Sequence, residues 1–187
     1  ITVSGTPYAI GQQLGVAYGD RVRHAMTDYT ARLKVDPKTL PQGGFLASLP
    51  RFIDPSPITL PLLASSLRPR LADAGPGVFD ELKGLADGSG APFDGLWLMQ
   101  WLPVLTETRD RDTLFNLPFC TMVAAVGDRA GADDLLIGRN FDWPADEEPV
   151  VMKVIPREGR PYIQIGYPWS VGVFTGMNDA GLTLAVE

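Results

Sequence analysis

Along this chain of 187 residues the apolar positions change period once, from helical spacing to strand alternation. Ile1 to Ser4 alternate as a short strand, and Thr6 before Pro7 suits a helix N-cap and first turn. Over residues 8–34, Ile10, Leu14, Ala17, Val22, Ala25, Met26 and Leu33 recur at helical spacing. Gly11, Gly15 and Gly19 fall four apart on that helix. Each costs about 0.8–1 kcal/mol of helix propensity relative to alanine. Either another backbone approaches there, or packing tolerates a weak helix. Residues 36–61 hold Pro37, Pro41, Pro50, Pro55, Pro57 and Pro61, which rules out one long helix. That stretch reads as an irregular connector, either a flap or a solvated linker.

Residues 62–71 allow a helix interrupted at Pro69. Residues 77–87, with Val78, Leu82, Leu85 and Ala86, predict a better one that stops at Gly88-Ser-Gly-Ala-Pro92. Asp94 is then placed to cap an apolar helix over 95–105, whose Leu96, Trp97, Met99, Trp101 and Leu102 read as core. A charged loop follows at 107–112. Beyond it the alternation predicts strands at 121–126, 135–140, 150–155, 162–166, 171–174 and 182–186, joined by Gly- and Asp-rich turns as an antiparallel meander. The fold class is therefore α+β, with a helical segment at 1–119 and a β part at 120–187. No internal repeat is visible.

Composition narrows what this arrangement does. A net charge of −6 leaves nothing to neutralise a run of phosphates, which argues against a nucleic-acid partner. No apolar run approaches the length of a membrane span. A single cysteine, Cys120, excludes an internal disulfide, and with a single histidine, His24, it makes a Cys/His zinc site a poor fit. No dinucleotide fingerprint at a strand-to-helix turn, phosphate-binding glycine loop or Gly-x-Ser-x-Gly elbow occurs. The compartment is undetermined. The chain opens at Ile1 and stops at Glu187 inside an apolar strand pattern, so we expect either a removed leader or an internal start, and further chain past Glu187.

Cys120 stands at the head of the first predicted strand of the β part. A free thiol near pKa 8.5 is only slightly ionised at neutral pH and needs a base. His24 lies inside the glycine-spaced helix, where a surface role is the default. An α-amine, with a pKa of roughly 7.7–8.0, serves instead if the Phe119–Cys120 bond is cut by an N-to-S acyl shift and hydrolysis. Asp142 would then orient that amine, and Arg139 would place a cation beside the thiol. Arg139 and Asp142 are three apart and face opposite ways on a regular strand, so a bulge or turn at Asn140-Phe141 is required. The bland alternative is a small buried hydrophobe at a strand start.

Phe119-Cys120-Thr121, then Leu136-Ile-Gly-Arg-Asn-Phe-Asp-Trp143, then Gly176-Met-Asn-Asp-Ala-Gly-Leu182 resemble the N-terminal-nucleophile (Ntn) hydrolases of the choloylglycine hydrolase superfamily. The nearer likeness is to the acyl-coenzyme A:6-aminopenicillanic acid acyltransferase-like branch, whose precursor start is similar to Gly5-Thr-Pro-Tyr-Ala-Ile-Gly11 with Leu14-Gly15. The resemblance extends over the chain apart from about residues 36–70. It implies an αββα sandwich preceded by a helical pro-segment or small subunit, with self-cleavage between Phe119 and Cys120 and association of the two products. It implies Cys120 as nucleophile, Asp142 as partner of its amine and Arg139 as the cation near the thiol. Thr121, Asn140 and Asn178 are candidates for supporting the site, Asn178 mainly through its turn.

The activity so implied is hydrolysis or formation of a linear, non-peptide amide bond on a small-molecule amide or acyl substrate, through an acyl-thioester and without metal or cofactor. A homo-oligomer is left open. In the superfamily an oxyanion-donating asparagine follows the Gly-Met-Asn turn, and its equivalent is expected just past Glu187. Such a donor is worth about 3–4 kcal/mol, so this stretch alone is expected to be nearly inactive. Two rivals stand beside this reading: a degenerate binding module with Cys120 as a core residue, and a cysteine enzyme with His24 as base.

Overall fold

A computed structural model describes residues 1–32, 65, 75–100, 120–131, 135–141 and 147–185. It is a mixed α+β fold. In chain order the elements are β1 (Thr2–Gly5), α1 (Pro7–Arg32), α2 (Pro76–Ser89), α3 (Phe93–Gln100), β2 (Thr121–Val126), β3 (Leu135–Asn140), β4 (Val150–Pro156), β5 (Tyr162–Gly166), β6 (Thr175–Asn178) and β7 (Thr183–Ala185). A short 3₁₀ turn, Gly127–Arg129, follows β2. The expected connector and the 62–71 helix lie outside the described residues, apart from Ser65.

Thr6 caps α1 as its sequence position suggests, its Oγ1 accepting the Ala9 N–H at 3.2 Å. The helix is broken at Tyr18 (φ −128°, ψ 22°), which the regular apolar spacing does not reveal. α2 begins at Pro76 and runs two residues past the expected stop, to Ser89. Gly90 then adopts the left-handed conformation (φ 70°) and its N–H returns to the Ala86 carbonyl. Asp94 does not cap α3 from outside. The helix starts at Phe93, two residues before the expected start, so Asp94 lies in its first turn, and the Pro92 carbonyl accepts the Gly95 and Leu96 N–H groups.

The glycine spacing of α1 has a packing cause. A Cβ built on Gly15 would stand 2.6 Å from both the Leu85 carbonyl oxygen and the Ser89 nitrogen, which are backbone atoms of α2. Gly84 and Gly88 return the contact, meeting the backbone of Tyr8 and Gln12. The two helices therefore touch backbone to backbone, which side chains at these positions would prevent.

The sheets differ from the expected single meander. β4, β5, β6 and β7 do form an antiparallel meander, but β1 adds to its β4 edge in parallel, giving the order β1-β4-β5-β6-β7. Among the described residues β2 and β3 pair only with each other, as a separate hairpin. The strand expected at 171–174 is absent; ordered strand structure resumes at Thr175. Residues 167–170 are buried in a turn instead, with the Ser170 N–H on the Tyr167 carbonyl.

Alternation assigns the faces of the five-stranded sheet. Val3, Met152, Val154 and the buried Gln164 point to the helices and share one core with Ile10, Leu14, Val22, Leu82, Leu85 and Trp97. Trp97 is thus core, as expected; Trp101 lies outside the described residues. The opposite face carries Val151, Ile155, Ile163, Ile165 and Met177, all exposed. Among the described residues, no helix is long and apolar enough to cross a membrane.

Candidate functional site

The β2–β3 register pairs Met122 with Arg139 and Thr121 with Asn140. Successive side chains alternate, so Cys120, Met122 and Arg139 belong to one face of the hairpin, and Thr121 and Asn140 to the other. Cys120, half-buried, immediately precedes β2, and Arg139 reaches it across the hairpin. Arg139 Nη2–H donates to Cys120 Sγ at 3.4 Å.

The guanidinium is held from three further directions. Its Nη1 donates to Thr175 Oγ1 at 2.7 Å and to the Phe174 carbonyl at 3.0 Å. Its Cζ lies over the Phe141 ring, 4.4 Å from the centroid. The buried Nε has no hydrogen-bond partner among the described residues. The guanidinium thus sets a fixed positive charge and an N–H donor against the sulfur atom.

Phe141 also ties this point to the helical layer. Its ring lies 5.9 Å from Tyr167 and 5.8 Å from Phe174, Tyr167 stacks on Trp169 at 5.6 Å, and Trp169 meets Tyr29 of α1 edge-on at 5.3 Å. Gln100, at the end of α3, clamps the same turn: its Nε2 donates to the Trp169 carbonyl at 2.9 Å and its Oε1 accepts the Val171 N–H at 3.1 Å. Trp169 Nε1–H donates to Glu147 at 2.6 Å.

The other sequence-derived candidates separate into groups. Phe119 and Asp142 lie outside the described residues. β3 ends at Asn140 and Phe141 leaves the strand, which is where a departure from regular geometry was required for Arg139 and Asp142 to serve one site. Asn178 shapes the β6–β7 turn: its Oδ1 accepts the Ala180 and Leu182 N–H groups, each at 3.0 Å. His24 is exposed on α1, its Nε2 3.4 Å from Asp28. Among the described residues no three His, Cys, Asp or Glu side chains gather as a metal site would need. Thr175, Phe141 and Gln100 were missed by sequence reasoning. Thr175 was hidden because the apolar run at 171–174 reads as the strand itself.

A second group with altered chemistry sits at the sheet–helix junction. Burial pushes the Glu81 carboxyl up to about 7. Burial, and then the Glu81 charge, push the Tyr162 hydroxyl up to about 12. Compared with protein-family models and with curated proteins, the chain matches no family model and no curated protein at a significant level.

Proposed function

We propose that this chain carries the nucleophile of a self-processing Ntn amidohydrolase or acyltransferase, with Cys120 as the attacking group. The observation that carries the reading is the Arg139 guanidinium, anchored by Thr175, Phe174 and Phe141 and donating to the Cys120 sulfur at 3.4 Å. A cysteine that served only as core filling would have no use for a half-buried cation fixed against its sulfur, whose partial desolvation is itself unfavourable.

In this mechanism the Cys120 thiol first attacks the Phe119 carbonyl; the Phe119–Cys120 C–N bond breaks, which frees the Cys120 α-amine, and water hydrolyses the resulting thioester to a Phe119 carboxylate and the free thiol. That amine, oriented by Asp142, takes the thiol proton as the sulfur attacks the carbonyl of a linear amide substrate. The amine leaving group departs with that proton, leaving an acyl-thioester. Water, or an acceptor amine, resolves the thioester and restores the thiol. The finer fold in this proposal is the αββα sandwich. Two features support it: the exposed apolar face of the main sheet, with Val151, Ile163, Ile165 and Met177, and the β2–β3 hairpin, which exposes Val123 and Leu136 on one side and Val126 and Leu135 on the other. Apolar faces of this kind are those that a second layer covers.

Intact-mass analysis of the full-length product tests the proposal. The expected result is a break between Phe119 and Cys120 that disappears in Cys120→Ala. An uncut chain whose Cys120 resists iodoacetamide overturns it.

A further inference from the structure

We propose that Thr175 is the positioning residue that aims the Arg139 guanidinium at the Cys120 thiol. The inference rests on the reading of Cys120 as a reactive thiol and deepens it by naming what sets the cation's geometry. An arginine side chain has several rotatable bonds and many donors, so charge alone does not direct it at a sulfur atom. Here both hydrogens of Nη1 have acceptors, Thr175 Oγ1 at 2.7 Å and the Phe174 carbonyl at 3.0 Å. Nε has none among the described residues. With Nη1 pinned on one side and the Phe141 ring against Cζ, the remaining nitrogen, Nη2, is turned to Sγ at 3.4 Å.

The two Nη1 anchors are not equivalent. The Phe174 carbonyl belongs to the irregular stretch before β6, whereas Thr175 is the first residue of β6 and is in register with Ile165 of β5. Thr175 therefore refers the guanidinium to the sheet, and its hydroxyl makes the shorter of the two bonds. Among the described residues Arg139 is the charged group in contact with the thiol; Asp142 lies outside them. Thr175 touches neither Cys120 nor, in the proposed mechanism, the reacting carbonyl.

The test follows the pH dependence of iodoacetamide alkylation at Cys120, the chain's one cysteine, in the full chain and in Thr175→Val, Thr175→Ser and Arg139→Gln. Valine keeps the shape and strand preference of threonine and removes the acceptor. Arg139→Gln is expected to slow alkylation near neutral pH roughly tenfold, with the alkaline plateau unchanged. Thr175→Val is expected to slow alkylation near neutral pH roughly threefold, again with the alkaline plateau unchanged. Thr175→Ser, which retains the hydroxyl, is expected to stay within about twofold of the parent. If Arg139→Gln shifts the profile and Thr175→Val does not, the role of Thr175 is refuted and the thiol–cation pair stands. If Arg139→Gln leaves the profile unmoved, the pairing behind the proposed function fails, and this inference with it. Equal losses in the serine and valine variants, with a lowered plateau, would show a purely structural threonine and also refute it.

Discussion

Gly15→Ala probes the contact that places the helical layer on the sheet. The new Cβ would lie 2.6 Å from the Leu85 carbonyl oxygen, 2.6 Å from the Ser89 nitrogen and 2.8 Å from the Gly88 carbonyl carbon, where ordinary contact begins at 3.4 Å. All three are backbone atoms, so no side chain can rotate away, and α1 and α2 must separate. That separation loosens Leu14, Leu82 and Leu85, each fully buried between helices and sheet. A gap of under an ångström forfeits a quarter to a half of each dispersion contact, roughly. Overpacking of this kind costs about 1–3 kcal/mol or more. Alanine returns about 1 kcal/mol of helix propensity. With three backbone clashes the first effect prevails, and a net loss of about 2 kcal/mol is expected. Gly77→Ala supplies the control. It is also helical, but its Cβ would meet only Pro7 at 3.5 Å, so propensity alone operates and stability should rise slightly. Urea unfolding followed by far-UV circular dichroism measures both. Gly15→Ala as stable as the parent, beside a stabilised Gly77→Ala, would refute the backbone-contact reasoning.

Three further predictions concern the junctions around the site. Glu81 has a carboxyl raised to about 7 by burial, so the folded protein binds its proton more tightly than the unfolded chain does. Stability from this group is therefore full below its ordinary value and is lost as pH rises through about 7. Unfolding midpoints of Glu81→Gln should lack that decline, and parallel pH profiles for the two proteins would contradict it. Gln100→Ala removes both partners of the 169–171 backbone; a loss of about 1–3 kcal/mol is expected, with a weakened near-UV signal from the Tyr167–Trp169 stack. Unchanged stability and spectrum would show that the clamp contributes nothing. Asn178→Ala should cost about 0.5–1.5 kcal/mol through its turn while leaving the Cys120 alkylation rate unchanged. A slowed thiol at parental stability would give Asn178 a role in the chemistry instead.

Much of the architecture is local in origin and could be read directly. The capped start of α1, the apolar period of α2, the burial of Trp97 and the alternation of β2 to β5 follow from short-range preferences and side-chain period. Errors cluster where a distant partner decides. Val171 to Phe174 alternate as a strand should, yet Gln100 from α3 takes the Val171 N–H and the turn at 167–170 packs into the core. The residues there have strand preferences but no neighbouring strand to satisfy. The break at Tyr18 and the parallel docking of β1 on β4 have no local signature for the same reason.

The candidate site divides along the same line. The sequence alone determined a lone cysteine at the head of a strand, and an arginine on the strand that turns back toward it, because hairpin pairing follows from alternation and turn residues. It also singled out the glycines of α1 without deciding between close approach and tolerated weakness. Tertiary structure alone decided that Arg139 points at Cys120, since that direction is set by a carbonyl and a hydroxyl 35 and 36 residues further along, respectively, and by the ring of Phe141. Backbone pattern encodes which face a side chain leaves from. Where a long, charged side chain ends is settled by the acceptors that the rest of the chain brings within its reach.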